Sequence, residues 1–282
     1  MYWETSTLFF IFTTIMKKTY LSLLITCLLS VSLTAQQQQT KAFNKLNDSK
    51  NWRVSFDDSC TEDWQSNWFL DGLRADLTNT NDGMVFSAGT VNRDDGCHAV
   101  LWTKESFKGA VKIEYDYTRT DARTVWVNIL YIQATGNGEG PYFKDISEWN
   151  SMRIIPSMRY YFNNMNALQV SYAAFRGDNR DPEEDYMRLR QYPLKKGENF
   201  QKYTEIPSAY FQTGLYKPGE TYHITVIKTN DTLFFKVTGN NVEELFSWKS
   251  NRIKEVTEGR IGLRHMYTRS AMYKNFKIYQ AK

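Results

Sequence analysis

Three cysteines, three histidines and six prolines in 282 residues leave several kinds of chemistry short of material. No Cys/His cluster has the spacing of a zinc site. Neither a P-loop nor a dinucleotide-binding glycine fingerprint is present, which argues against nucleotide chemistry. A G-x-S-x-G nucleophile elbow is absent as well. No long segment keeps a 3.6-residue apolar period, so the pattern is not that of a helical bundle. Net charge is only +4, with a pI near 8.7, and lacks the dense basic stripe of a nucleic-acid binder. A mildly basic chain would suit an anionic polymer without requiring one.

What is present begins with an N-terminal signal. From Met16 the chain reads MKKTYLSLLITCLLSVSLTAQQQQ, with Lys17 and Lys18 ahead of the apolar run Leu21 to Ala35. This is the pattern of a secretory signal peptide cut after Ala35, with an apolar run too short for a comfortable membrane span. Residues 1–15 fit no signal-peptide region and read as an extension ahead of the true start; a retained N-terminal anchor is the rival. Residues 36–282 then suffice for one large β-domain, and no low-complexity linker divides them. The expected location is periplasmic or secreted. In such a compartment Cys60 and Cys97 are a candidate disulfide, with two buried free thiols as the alternative.

Period-2 alternation dominates the rest. Strands are expected over 84–89, 97–103, 108–119, 124–135, 167–176, 186–192, 221–228, 232–238 and 243–249, and in two more within GRIGLRHMYTRSAMYKNFKIY at 259–279. Asn81-Asp82-Gly83, Gly136-Asn137-Gly138, Lys217-Pro218-Gly219 and Asn230-Asp231 mark turns. A short helix fits between Ile146 and Met158, limited by Pro156. The fold class is therefore all-β, two antiparallel sheets in a sandwich or jelly roll. RGDNRDPEED at 176–185 is too polar for anything but an exposed loop, and its Arg-Gly-Asp is short enough to arise by chance.

LWTKESFKGAVKIEYDYT (101–118), NALQVSYAAFR (166–176), MRLRQYP (187–193) and the final hairpin occur in an order that resembles the YesU-like family of unknown function. That family lies within the concanavalin A-like lectin/glucanase superfamily. The resemblance runs from about Leu101 to the end; residues 36–100 match less clearly, and 145–166 look individual. It implies a jelly-roll sandwich with a concave face and a setting of polysaccharide breakdown. It supplies no catalytic residues.

Candidate chemistry must come from the residues. Glycoside hydrolysis needs two carboxyls about 5–5.5 Å or 6.5–9.5 Å apart. Glu114 and Asp116 begin the E-x-D-x-x-E strand of the superfamily's glucanases, but the third position is Arg119, and the mixed-charge face of this strand reads as its solvated side. Asp145 and Glu148, beside Trp149, are a second acidic pair; structural calcium there or at Asp82 has no ordered ligand loop behind it. β-Elimination on a uronate needs a group that neutralises the carboxylate, a base and an acid. Arg188 and Arg190 share one strand face and, with Arg176 and Arg159, are the expected carboxylate binders, because arginine forks match carboxylates bidentately. Tyr172, Tyr161 and His265 are the expected proton carriers, His265 lying where the core face of its strand gives way to an edge. His98 and His223 read as structural. Trp126 and Trp149 are candidate stacking platforms for sugar rings. The expectation is an exported carbohydrate-active protein, a lyase on a uronate-containing glycan in preference to a hydrolase, with a non-catalytic glycan-binding module as the alternative. Its partner would be an oligo- or polysaccharide, anionic in the favoured reading, with no cofactor and no nucleic acid.

Overall fold

Alternation along each strand decides which residues enter the interior, and β7 (Val111–Arg119) shows it plainly. Val111, Ile113, Tyr115 and Tyr117 are buried in the main core, while Lys112, Glu114 and Asp116 take the other face. The computed structural model describes residues 36–49 and 51–282. The proposed extension, the signal peptide and its cleavage point therefore lie outside the described residues. Residues 36–47 form a helix, α1, in a unit of their own. The unit Ser49–Lys282 is all-β.

Its strands build two antiparallel sheets. Sheet A runs β14 (Val242–Lys249), β13 (Thr232–Gly239), β12 (Thr221–Lys228), β7, β16 (Ser270–Ala281), β4 (Gly83–Ser87), β3 (Asp76–Thr80), with β1 (Trp52–Asp58) also paired to β16. Sheet B runs β11 (Glu205–Phe211), β10 (Tyr186–Tyr192), β9 (Met165–Ala174), β8 (Asn128–Gly136), β15 (Glu258–Met266), β5 (His98–Thr103), β2 (Trp68–Gly72), with β6 (Phe107–Lys108) beside β15. The closing hairpin is split between the layers: β15 joins the centre of sheet B and β16 the centre of sheet A. Phe86, Tyr115, Leu130, Val170, Leu189, Ile224, Phe235, Leu263 and Phe276 are among the side chains that fill the space between them.

A second apolar cluster lies on the other face of sheet B, made by Val100, Trp102, Tyr131, Ala167 and Tyr192 with Ile146, Trp149 and Tyr161. The segment that covers them is a 3-10 turn, Ile146–Arg153, and α2 (Met158–Asn164). The expected short helix is thus two pieces on either side of Pro156, as the pyrrolidine ring dictates. Gly262 of β15 leaves room for the ring of its cross-strand neighbour Trp102, since a Cβ there would lie 2.4 Å from that ring. Asp71 anchors the segment from β2: its buried carboxylate accepts from Arg153 Nε (2.6 Å), Trp102 Nε1 (2.8 Å), Tyr161 Oη (2.8 Å) and Asn150 Nδ2 (2.7 Å).

The expected disulfide is absent. Cys60 and Cys97 are both free and buried. Cys60 sits in the loop after β1, its Sγ 3.7 Å from the Asp58 carbonyl, and burial pushes its thiol far above the usual range. Cys97 packs against Gly89, where an added Cβ would come within 2.6 Å of its sulfur. Each thiol acts as a small apolar group in its own niche.

Candidate functional site

Where the covering segment ends, sheet B's outward face opens into a cleft of about 570 Å3. The volume is that of a small-molecule site. Its floor is two cross-strand rows: Ile129, Ser171 and Arg188 in register on β8, β9 and β10, and Gln169 and Arg190 in the next row on β9 and β10. One end is bounded by Trp126, by residues 175–178 and by Phe211; the other by Met158 of α2, Tyr192, and Phe200 and Gln201 of α3 (Phe200–Thr204).

The two floor arginines differ in what they leave free. Arg190 donates to Thr204 Oγ1 (2.7 Å) and Gln201 Oε1 (2.5 Å), and lies 4.6 Å from the Phe200 ring centre. Its guanidinium is committed to holding α3. Arg188 has its Nε 3.1 Å from Glu205 Oε2, paired but not aligned as a hydrogen bond, and its Cζ lies 4.9 Å and 6.0 Å from the rings of Tyr186 and Phe211. Its two Nη groups have no hydrogen-bond acceptor among the described residues. A planar fork held by one carboxylate and two rings, with its outer edge unused, is preorganised for an incoming carboxylate. Beside it Gln169 Nε2 donates to Ser171 Oγ (2.6 Å). Burial raises the Tyr186 phenol pKa, while Arg188, Arg190 and Arg176 act against that shift.

Trp126 forms the half-exposed wall. Its indole N–H donates to Asn92 Oδ1 (2.6 Å), and its ring lies 4.6 Å from that of Tyr267. Gly177 gives it room, since a Cβ there would meet the indole at 2.5 Å. Arg269, fully buried in the closing hairpin, holds the backbone behind it by donating to the carbonyls of Trp126 (2.8 Å) and Ala173 (2.7 Å). Asp121 balances Arg269 at 3.0 Å.

The structure therefore gathers Arg188, Arg190, Arg176 and Trp126 around one cleft, Arg176 at its exposed rim. Other expected residues stand elsewhere. Arg159 is exposed on α2 and does not line the cleft. Trp149 is buried under the covering segment, with Arg153 4.0 Å from its ring centre. Tyr161 is sealed in the same cluster, donating to Asp71. Tyr172 points between the sheets, packed against Tyr117 and Phe235, its hydroxyl 3.3 Å from that of Tyr273 and its pKa pushed up to about 12 by burial. His265 is not at an edge. It is fully buried between the sheets, with Nε2 2.7 Å from Tyr273 Oη and Phe86 at 4.6 Å, and burial followed by the Arg269 charge lowers its pKa to about 3. The three expected proton carriers are thus closed off from the cleft.

The acids do not gather either. Glu114 pairs with Lys112 (3.0 Å) and Asp116 with His223 (2.8 Å), both on the outward face of sheet A. Asp145 caps Ser147 and receives the Arg260 fork at 2.8 and 2.9 Å. Among the described residues, no three His, Cys, Asp or Glu side chains come together in a way that could hold a metal ion. No described helix is long and apolar enough to cross a membrane.

Residues 58–278 match the family described as "Domain of unknown function (DUF1961)". The chain belongs to the DUF1961 family. The protein YesU of Bacillus subtilis (strain 168), itself called uncharacterized, is 25% identical to this DUF1961 chain over 191 residues, 66% of the chain and 79% of YesU. A crystal structure of a Bacillus subtilis protein of unknown function with a galectin-like fold covers 82% of the chain and 98% of its own length, with 18% identity and a TM-score of 0.59. A lectin from Bauhinia forficata, solved in complex with GalNAc, covers 82% and 99%, with 7% identity and a TM-score of 0.51. These likenesses establish the fold, a lectin-like jelly-roll sandwich. Within this DUF1961 chain, strand parity carried a signal for Tyr186 and Tyr192, which share the face of Arg188 and Arg190. No pattern in EIPSAYF announced Phe211.

Proposed function

We propose that this protein binds an acidic oligosaccharide in the cleft on the outward face of sheet B, as a glycan-recognition domain. The observation that carries this reading is the Arg188 fork, with an unused outer edge in a cleft walled by Trp126, Tyr186 and Phe211. Flat rings offer apolar faces to sugar C–H groups, and a preorganised guanidinium offers paired donors to a carboxylate. A lectin-like fold is consistent with a carbohydrate partner, although fold alone assigns no activity. The signal-peptide reading of residues 16–35 adds that the ligand is met in the periplasm or outside the cell.

Elimination on a uronate remains a second reading, because the phenol of Tyr186, the less buried of the two tyrosines lining the cleft, lies beside arginines. In that chemistry a base takes the proton α to the carboxylate and an acid protonates the leaving oxygen. Tyr186 would carry those proton transfers in place of Tyr172, Tyr161 and His265. Affinity electrophoresis through gels containing acidic or neutral glycans, run beside an ultraviolet assay for unsaturated sugar ends, separates the readings. Retardation by acidic glycans without new absorbance supports recognition; a rise in absorbance that disappears in Tyr186→Phe supports elimination. Retardation by neutral glycans alone would sink both.

A further inference from the structure

Beyond Tyr186 and Phe211 the cleft gives way to a second hollow, of about 150 Å3. Glu184, Asp185 and Gln212 wall it, and it shares Arg176, Tyr186 and Phe211 with the cleft. Tyr186 and Phe211 are register partners on β10 and β11, their ring centres 6.3 Å apart, and together they make the ridge between the two spaces. Phe211 is 56% exposed there, a large flat ring left to solvent. The far wall is tied together by Asp185. Its buried carboxylate accepts from the backbone N–H of Thr213 (2.7 Å) and from the Thr213 hydroxyl, and its carbonyl accepts from the Gln212 N–H (2.8 Å).

Charge changes sign across the ridge. The cleft lining carries three arginines, Arg176, Arg188 and Arg190, and one acid, Asp178. The hollow carries two acids, Glu184 and Asp185, and one arginine, Arg176. The side chains of Arg176, Glu184 and Gln212 are exposed and have no hydrogen-bond or ion-pair partner among the described residues. A second carboxylate entering the hollow would meet like charges on Glu184 and Asp185. A sugar hydroxyl suits the same surroundings, because it donates to a carboxylate and accepts from a guanidinium or an amide.

We propose that this hollow is a second sugar subsite, which takes an uncharged sugar joined to the acidic sugar held in the cleft. This rests on the reading of the cleft as a site for acidic oligosaccharide, and it deepens that reading. The ligand class becomes a mixed glycan, in which acidic and neutral sugars are neighbours, rather than a homopolymer of uronate. The Tyr186–Phe211 ridge underlies the linkage between the two sugars and offers its rings to their C–H groups. Arg176 lines both spaces and so stands at that junction. Glu184 is the residue that sets the neutral preference, since its carboxylate is free and faces the second sugar.

Calorimetric titration of the wild type and Glu184→Lys tests the proposal, with glucuronic acid, its homodimer and the two disaccharides that join it to glucose at either end. The wild type should bind the better mixed disaccharide about fivefold more tightly than glucuronic acid or the homodimer, a modest factor because water screens exposed charges. Glu184→Lys makes the hollow cationic and should reverse the order of mixed disaccharide and homodimer. Glu184 is exposed, so this substitution leaves the packing of the domain untouched. A mixed disaccharide that binds no more tightly than glucuronic acid or the homodimer overturns the neutral subsite and leaves the cleft reading standing. A mixed-sugar preference that persists unchanged in Glu184→Lys also overturns it, because the neutral sugar then lies outside the hollow. A wild type that binds none of these sugars refutes the cleft reading itself, and the subsite with it.

Discussion

Arg188 owes its place in this account to geometry more than to charge. Its Nε edge is paired with Glu205 and its plane lies near two rings, so only the outer fork is offered. Arg188→Lys would keep the charge and lose the fork. It should therefore weaken binding of an acidic oligosaccharide at least tenfold, about 1.4 kcal/mol, as calorimetry can read. The buried histidines make a different prediction, about pH. The pKa values of His98 and His265 are depressed to about 2 and about 3 in the fold, so below pH 6.5 the unfolded chain takes up protons that the folded one refuses. Stability is then highest above pH 6.5 and falls as pH drops towards the folded values. Between pH 6.5 and 5 each histidine should cost on the order of 2 kcal/mol, and His265→Gln should show a shallower acid slope in urea denaturation. An unchanged slope would mean that His265 is reached by solvent.

The segment 146–164 is the element that shapes the cleft, because it covers one half of sheet B's outward face and leaves the other open. Its hold depends on Asp71. Asp71→Asn would strand the Arg153 charge in the interior, a loss on the order of 3–5 kcal/mol. Hydrogen exchange should then accelerate first in 146–164, while β7 and β12 stay protected; uniform acceleration would contradict this division. At this scale the sequence was readable in part. Strict alternation revealed β7, β9, β10, β12, β13 and both strands of the closing hairpin, because each buries one continuous row. It passed over β1, although WRVSFDD alternates Trp52, Val54 and Phe56 with polar residues, and over β3 and β11, whose DLTNT and EIPSAYF carry too little apolar alternation to register. Parity also told which residues share a face, which is why Arg188 and Arg190 could be paired from sequence. Parity cannot say what covers a face. Tyr161 vanished beneath a segment whose path no local pattern encodes, and Tyr172 and His265 turned inward with the core rows of their strands. The arginines of the closing hairpin met the same limit: Arg260 ties down Asp145, Arg269 braces Trp126, and Arg264 holds His98 and the Pro156 carbonyl.

For the whole molecule, two eight-stranded layers among the described residues supply the core, and no covalent staple is needed. With Cys60 and Cys97 free in separate niches, thermal unfolding of the domain should be unchanged by a thiol reductant. A midpoint lowered by several degrees would indicate a bridge. The proposed binding surface lies on one outward face of the sandwich, where β8, β9 and β10 set cations, polar groups and rings in register. The most direct test is a calorimetric comparison of a uronate oligosaccharide with its carboxyl-reduced, neutral counterpart, on the wild type and on Arg188→Met. The account predicts at least a tenfold preference of the wild type for the acidic sugar, erased in Arg188→Met. Equal affinity for the two sugars, or a preference that survives the substitution, would contradict it.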